Sequence, residues 1–460
     1  MRASLVSLLA SSSSLFLSFT LASPLTADNE ARADSWPYGP LVTSGRDMKN
    51  ARGENVVYAG TNWPGHSEVM IPDGLQYQSI ETIVSKIKSV GMNAIRLTYA
   101  IQMIDEIYAN NGQDTTVKAS FTKALGSTNG PKVYSQFLAK NPSFNDSTTR
   151  LQVFDAVAAE CLKQKVFVHL DNHMSRATWC CSTNDGNSWF GDRDYRTLVV
   201  FPRNRVLQGK NAIIVCAHVA DIEADVENWT RGLSYMANHG KNWPALTSMS
   251  LRNELRKPDS NPTLSSQSYN WRDWYINIKK GTNAINSANP DALIFLSGLD
   301  FDTYVTPVVQ GTALTPGSDK FSIADFQGYS NKLVLEIHNY QNSASNCNSL
   351  KSSLYNSGFQ ALHADDSKTA NVFPVLLTEF GFDMTGNAWQ GTYATCIASY
   401  LAEQKAGWFI WVVSGSYYIR SGTQDFEETW GLLKHDWSDW RSSAYIEGGL
   451  KPLTKATAQG

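Results

Sequence analysis

Two glutamates carry the most suggestive chemistry in this chain of 460 residues. Glu254 closes the apolar run 246–254, and Glu379 lies at the end of another, 375–380. A carboxyl drawn out of water resists ionisation, whereas a neighbouring arginine favours it. Two carboxyls in unlike surroundings can therefore split into an acid and a nucleophile, which is what glycoside cleavage requires. One protonates the leaving oxygen while the other, ionised, attacks the anomeric carbon. Either glutamate alone is more simply half of a structural salt bridge, so the reading depends on both reaching one place.

Other polar residues end apolar runs in the same manner. Arg96, His173, Asn253, His338 and Tyr340 all do so, and Trp411 falls within the last run. Eight strand-like runs occur at 56–60, 94–97, 166–170, 246–254, 293–296, 333–340, 375–380 and 408–413. Helix-like segments lie between them, including 78–90, 150–164, 229–239, 269–287 and 389–405, and Gly91, Gly240 and Gly407 stand near helix ends. This alternation predicts an α/β fold with a parallel sheet covered on both faces. Eight units closing on themselves make a single-domain (β/α)8 TIM barrel; a doubly wound open sheet is the alternative. No GxGxxG follows the first run, so a dinucleotide fold gains nothing. A short N-terminal β-hairpin is expected from 41–43 and 55–57. In a barrel, chemistry sits at the C-terminal ends of the strands, where these polar residues collect.

Taken together and in order, the motifs resemble glycoside hydrolase family 5, the cellulase-type family of clan A, over roughly residues 36–440. Thr61-Asn62-Trp63 matches the end of the family's first strand, and Asn93-Ala94-Ile95-Arg96 its second-strand arginine motif. His173 matches the third-strand histidine, Asn253-Glu254 the fourth-strand pair, and His338 with Tyr340 the sixth-strand residues. Thr378-Glu379-Phe380-Gly381 matches the nucleophile motif, and Trp411 the eighth-strand tryptophan. The resemblance implies Glu379 as nucleophile and Glu254 as acid/base, acting with retention across about 5–5.5 Å. Arg96 would hold Glu379 ionised and Tyr340 would orient it. Asn253 suits the sugar 2-hydroxyl, while His173 and His338 bond hydroxyls or the carboxylates. Trp411 and Trp63 would face the sugar. No metal or other cofactor is implied. The expected substrate is a β-linked polysaccharide or oligosaccharide, with cellulose-type β-1,4-glucan first and mannan, β-1,3-glucan and glycosides or glycolipids as alternatives. Segments 251–256 and 425–433 look like a less characterised fungal or plant-like branch. Leu255-Arg256 stands where many members carry proline.

Composition fits this reading. The chain is 42% hydrophobic and 18% charged, which supports a large core rather than disorder. A net charge of -3 gives nothing to attract nucleic acid. Fourteen Trp is a surplus that suits flat sugar faces or a Trp-rich core. Residues 1–22 have the plan of a signal peptide, with cleavage as late as 27. The mature protein is thus expected to be secreted, extracellular, free of membrane spans and monomeric. Secretion permits disulfides, and Cys347 with Cys396 is the preferred pair among six cysteines. Asn145 and Asn228 begin sequons. Residues 196–225 read as an atypical insertion, either a lid or, preferred, a translated intron; 441–460 read as a C-terminal tail. Two rival functions remain. His169, Asp171 and His173 alternate along one strand face and could ligate zinc, and a non-catalytic carbohydrate binder could retain the same cleft.

Overall fold

The computed structural model describes residues 34–195 and 213–460. The signal-peptide segment and residues 196–212 of the atypical insertion lie outside those residues. Strand β1 (Val42–Ser44) turns at Gly45, which has φ +58, and pairs antiparallel with β2 (Asp47–Lys49). Strand β3 (Asn55–Val56) pairs with β2. The expected hairpin is therefore a three-stranded sheet in which 41–43 meets 47–49 instead of 55–57.

Eight parallel strands follow: β4 (Ala59–Trp63), β5 (Ala94–Ala100), β6 (Phe167–Met174), β7 (Leu246–Ser250), β8 (Leu293–Leu296), β9 (Leu333–Asn339), β10 (Val375–Phe380) and β11 (Gly407–Ile410). They close into a barrel in the order β10-β11-β4-β5-β6-β7-β8-β9. The first strand starts three residues later than its apolar run suggests. An antiparallel pair, β12 (Ser416–Arg420) and β13 (Thr423–Glu427), then stands above the barrel.

Alternation along each strand sorts side chains by face. On β9, Leu333, Leu335 and Ile337 join the outer core, while Val334 joins an inner cluster at the lower end. That inner cluster gathers Tyr58, Phe167, Phe295 and Phe409, and Leu41, just before the small sheet, caps it with Met48 and Val56 of that sheet. One end of the barrel is thus plugged with apolar groups. Polar side chains on the same inward face are left for the middle and the opposite end.

The outer helices follow the 3.6-residue period. Ile80–Ser89 buries Ile80, Ile83, Val84 and Ile87 and is capped by Ser79. Arg150–Gln164 opens on a capping box formed by Thr149 and Gln152. The helix expected at 229–239 runs Ile213–Gly240, beginning inside the segment read as an insertion. Asn228 within it is buried, whereas Asn145 is exposed on a turn. Gly91 adopts φ +85 as expected of a cap, but Lys405, with φ +50, takes that role before β11, not Gly407. Helices Ile101–Ala109, Val117–Lys140 and Cys347–Ser357 were not among the expected segments, although Ile101, Ile104 and Ile107 of the first line up on its buried face. Residues 441–460 are largely helical, and Gln459 pairs with Val57 at the foot of the barrel. Cys347 and Cys396 form a disulfide, tying helix Cys347–Ser357 to helix Thr392–Gln404.

Candidate active site

Arg96 is the hub of the upper barrel. It projects inward from β5, fully buried, and a buried charge must be paired. Its Nη1 donates to Glu379 Oε1 at 2.6 Å and to Asn62 Oδ1 at 2.9 Å. Its Nη2 donates to Asn253 Oδ1 at 2.9 Å and stands 3.0 Å from Asp171 Oδ1. One guanidinium therefore ties β4, β5, β6, β10 and the segment after β7 together. Glu379 is held on its other oxygen too: Tyr340 OH donates to Oε2 at 2.9 Å, and His338 Nδ1 is 3.7 Å away. Burial raises the Glu379 carboxyl above its ordinary range, and His338 and Arg96 oppose that rise.

Glu254 lies beyond the end of β7, in the left-handed region at φ +46. Arg256, two residues on, is fully buried. Its Nη1 donates to Glu254 O at 2.8 Å, its Nε to Ser182 O at 2.9 Å, and its Nη2 pairs with Asp185 at 2.5 Å. This arginine fixes the turn that presents Glu254 and fastens it to the loop after β6. The Glu254 carboxyl has a His338 Nδ1 neighbour at 3.0 Å and no ion pair as close as that of Glu379. Burial pushes it up to about 7; Arg256 and Arg96 moderate the rise, and Asp171 adds to it. Ligand-type atoms of Glu254, His338 and Glu379 lie within 4.8 Å of one another.

The two carboxyls face a cavity of about 660 Å3. His173, Asn253, Glu254, His338, Tyr340, Glu379 and Trp411 all line it, so seven of the nine residues singled out in the sequence meet there. Arg96 lies beneath the floor. Trp63 does not reach the cavity: its ring is fully buried in the outer core and its Nε1 donates to Asp73 O. The reason is parity. Asn62 faces inward to Arg96, so its neighbour Trp63 must face the helices. His173 is oriented by Asp171, Nδ1 to Oδ2 at 2.6 Å, and its ring stacks against Trp411 and His66. Burial depresses the His173 ring well below the usual histidine range, with Arg96 adding to this, so it stands neutral.

The upper wall comes from the hairpin that follows the barrel and from the loop after β6. Arg420 and Phe426 from β12 and β13 line the cavity, with Trp430 just beyond. The Arg420 guanidinium sits 3.8 Å over the Trp179 ring and pairs with Glu428 at 3.0 Å. Trp179 also lines the cavity and meets the edge of Trp411. The signal for this hairpin was local: Ser421 and Gly422, both at positive φ, sit between an apolar run and an alternating one. Cys180 and Cys181, bonded to each other, contribute a further stretch of wall. Fully buried Trp189 packs on Tyr269.

The zinc alternative does not survive the geometry of β6. His169 lies deep, with Nδ1 on Ser248 Oγ and Nε2 on Ser250 Oγ, each at 2.8 Å. Both ring nitrogens are engaged away from His173, and His173 Nδ1 is engaged by Asp171. The three side chains therefore do not converge as ligands.

Comparison with known proteins bears on this site. A sequence model described as cellulase (glycosyl hydrolase family 5) matches residues 50–416. A glycosyl hydrolase 5 family protein from Chamaecyparis obtusa is 32% identical over 423 residues, covering 88% of this chain and 65% of that relative's length. An endoglucanase from Paenibacillus polymyxa is 21% identical over 460 residues, covering 97% and 95%. Among solved structures, an endocellulase from Pyrococcus horikoshii in complex with cellotetraose superposes with a TM-score of 0.62 at 17% identity, covering 90% of this chain and 98% of that one. The catalytic domain of the major endoglucanase of Xanthomonas campestris gives 0.58 at 18% identity, covering 90% and 99%. These structural likenesses speak for the fold.

Proposed function

The chain belongs to glycosyl hydrolase family 5, and from that premise we propose that it is a retaining β-glycosidase acting on β-linked glucan chains, cellulose-type β-1,4-glucan first. Glu379 is the nucleophile and Glu254 the acid/base. The observation that carries the reading is the contrast between two neighbouring carboxyls: Glu379 on Arg96 and Tyr340, and Glu254 held near the protonated state by burial. One oxygen of each lies within 4.8 Å of the other, which supports the roughly 5–5.5 Å spacing of retaining enzymes over the roughly 6.5–9.5 Å that admits a water for inversion.

In the first step a Glu379 oxygen attacks the anomeric carbon as the glycosidic bond breaks, and Glu254 gives its proton to the departing oxygen. The product is a covalent glycosyl-enzyme ester. In the second step Glu254, now ionised, takes a proton from water, and the water oxygen displaces Glu379 with net retention. Asn253, held by Arg96, offers its amide to the sugar 2-hydroxyl. Trp411, Trp179 and Trp430 supply flat apolar faces for sugar rings. The endoglucanase and endocellulase relatives favour a glucan chain as substrate. Residues 1–22, with their leader-like pattern, favour action outside the cell.

The decisive experiment is Glu379→Ala with and without azide. Turnover of an activated aryl β-cellobioside should fall by at least about 10⁴-fold. Azide should restore it, entering from the vacated face to give the inverted glycosyl azide. Retained activity in the variant, or azide without effect, would refute the assignment. Product analysis on a panel of cellulose, mannan and β-1,3-glucan would fix the glycan and separate endo from exo action.

A further inference from the structure

After β8 the chain does something backbones avoid. Asp300, Phe301 and Asp302 adopt φ +53, +59 and +61 in succession. L-residues visit this region singly and reluctantly, and a run of three without glycine needs a reason. What the run delivers is Asp302. Its carbonyl oxygen accepts the His338 backbone N–H at 2.8 Å, and its Oδ1 accepts the Gly298 N–H. Its Oδ2 lies 3.6 Å from His338 Nε2. Phe301, carried along, donates its N–H to Leu255 O and lines the cavity beside Glu254.

His338 is therefore gripped from both sides. On the Nδ1 side stand Glu254, at 3.0 Å, and Glu379, at 3.7 Å. On the Nε2 side stand Asp302 and Glu336, whose ligand-type atoms lie within 4.8 Å of each other and of the ring. Arg96 from β5 and Asp171 from β6 complete the charged surroundings. Asp302 Oδ2, Glu336 Oε1 and His338 Nε2 make no hydrogen bond in this structure, and all three residues are buried, so they have only one another to turn to. Burial pushes both of these carboxyls upward; the charge of Glu336 adds to the rise of Asp302 and that of Asp171 to the rise of Glu336, while Arg96 opposes both. A neutral imidazole has a single N–H. Acidic oxygens facing Nε2 favour the N–H on that nitrogen, which leaves the Nδ1 lone pair to accept the Glu254 proton.

We infer that Asp302 is a positioning residue for the acid/base: through His338 it fixes the tautomer that keeps the Glu254 proton in place and aimed at the leaving oxygen. This rests on the proposed role of Glu254. Removing the Asp302 carboxylate frees the ring to carry its proton on Nδ1, where it donates to ionised Glu254 and makes that carboxyl a weaker base.

The test is Asp302→Asn. Asparagine tolerates left-handed backbone and can keep the Oδ1 contact to Gly298, but its amide can donate to Nε2. With aryl β-cellobiosides, kcat/KM should fall at least about 10-fold more for phenyl than for 2,4-dinitrophenyl as leaving group, because only the poorer one needs the proton. The basic limb of the pH profile should move toward acid by about one unit. Equal losses on both substrates would overturn the inference, and so would a basic limb left in place. Asp302→Gly, which suits the left-handed backbone without a carboxyl, gives the same reading if the asparagine variant misfolds. Glu254→Ala is the control on the underlying role. If it discriminates between leaving groups and Asp302→Asn does not, Asp302 alone is misassigned; if neither does, the acid/base assignment itself fails.

Discussion

Glu254→Gln isolates what it costs the fold to keep an acid at the mouth of the barrel. Burial raises the Glu254 carboxyl from its ordinary 4.5 to about 7. Between these values the folded chain retains a proton that the unfolded chain has lost. Stability therefore falls as pH rises through that window, and the full loss is present above about 7. A shift of about 2.5 units at roughly 1.36 kcal/mol each is on the order of 3 kcal/mol. Glutamine imitates the protonated carboxyl in shape and can donate to His338 Nδ1, so the variant should lack this loss. The unfolding entropy of a domain this long is roughly 0.9 kcal/mol/K, so Tm should rise by about 3–4 °C at pH 8. Near pH 4, where wild type is protonated in both states, the two proteins should melt together. Scanning calorimetry across pH 4 to 8 measures the gap directly. A gap of the same size at both ends would mean that the substitution acts through packing. No gap at pH 8 would mean that the carboxyl is not held protonated by its surroundings. Activity carries the same signature, since an acid that loses its proton near pH 7 makes kcat/KM decline above that pH.

Two further substitutions probe the hub and the upper wall. Arg96→Met leaves Asp171 and Glu379 facing each other without a cation; it should cost about 3–5 kcal/mol in urea denaturation. It should also raise the acid limb of the pH profile, because Glu379 loses the ion pair that favours its charge; an unmoved acid limb would count against the pairing. Arg420→Ala removes the cation over Trp179 and leaves Glu428 to Tyr417 OH and the Trp430 N–H, without touching either candidate carboxyl's hydrogen bonds. Steady-state kinetics on cellotetraose should show KM rising roughly 3- to 10-fold with kcat little changed, and a kcat loss matching the KM change would move Arg420 into the reaction itself.

What could be read from the chain, and what could not, follows from the range of the interactions. Seven of the eight barrel strands begin within one or two residues of their apolar runs, because buried parallel strands are written locally as such runs. The carboxyl pair was legible for the same reason, each glutamate ending a run at the pole where a barrel does its chemistry. Trp63 was misread because a place at the end of a strand does not say which face its side chain takes; with Asn62 turned inward to Arg96, alternation sends Trp63 to the helices. Whether a side chain faces the lumen or the helices then turns on a single step of register. Arg256 and Asp302 were missed for another reason. Arg256 bonds to segments about 70 positions away, and Asp302 meets His338 across 36. No periodicity encodes such partners.

Asp302 does leave one trace, and it lies in the backbone rather than in the pattern. Three consecutive left-handed residues cost roughly 1–2 kcal/mol each, a penalty that glycine at any of them would relieve. The chain places Asp, Phe and Asp there instead. Phe301 lines the cavity, and Asp302 meets the ring that touches both candidate carboxyls. Strain maintained with side chains that reach the site is more simply explained by the site than by folding, since a loop serving only to connect β8 to its helix could be lengthened or given glycine. If Asp302→Gly proves more stable than wild type but slower on the phenyl glycoside, the left-handed run exchanges stability for control of the Glu254 proton.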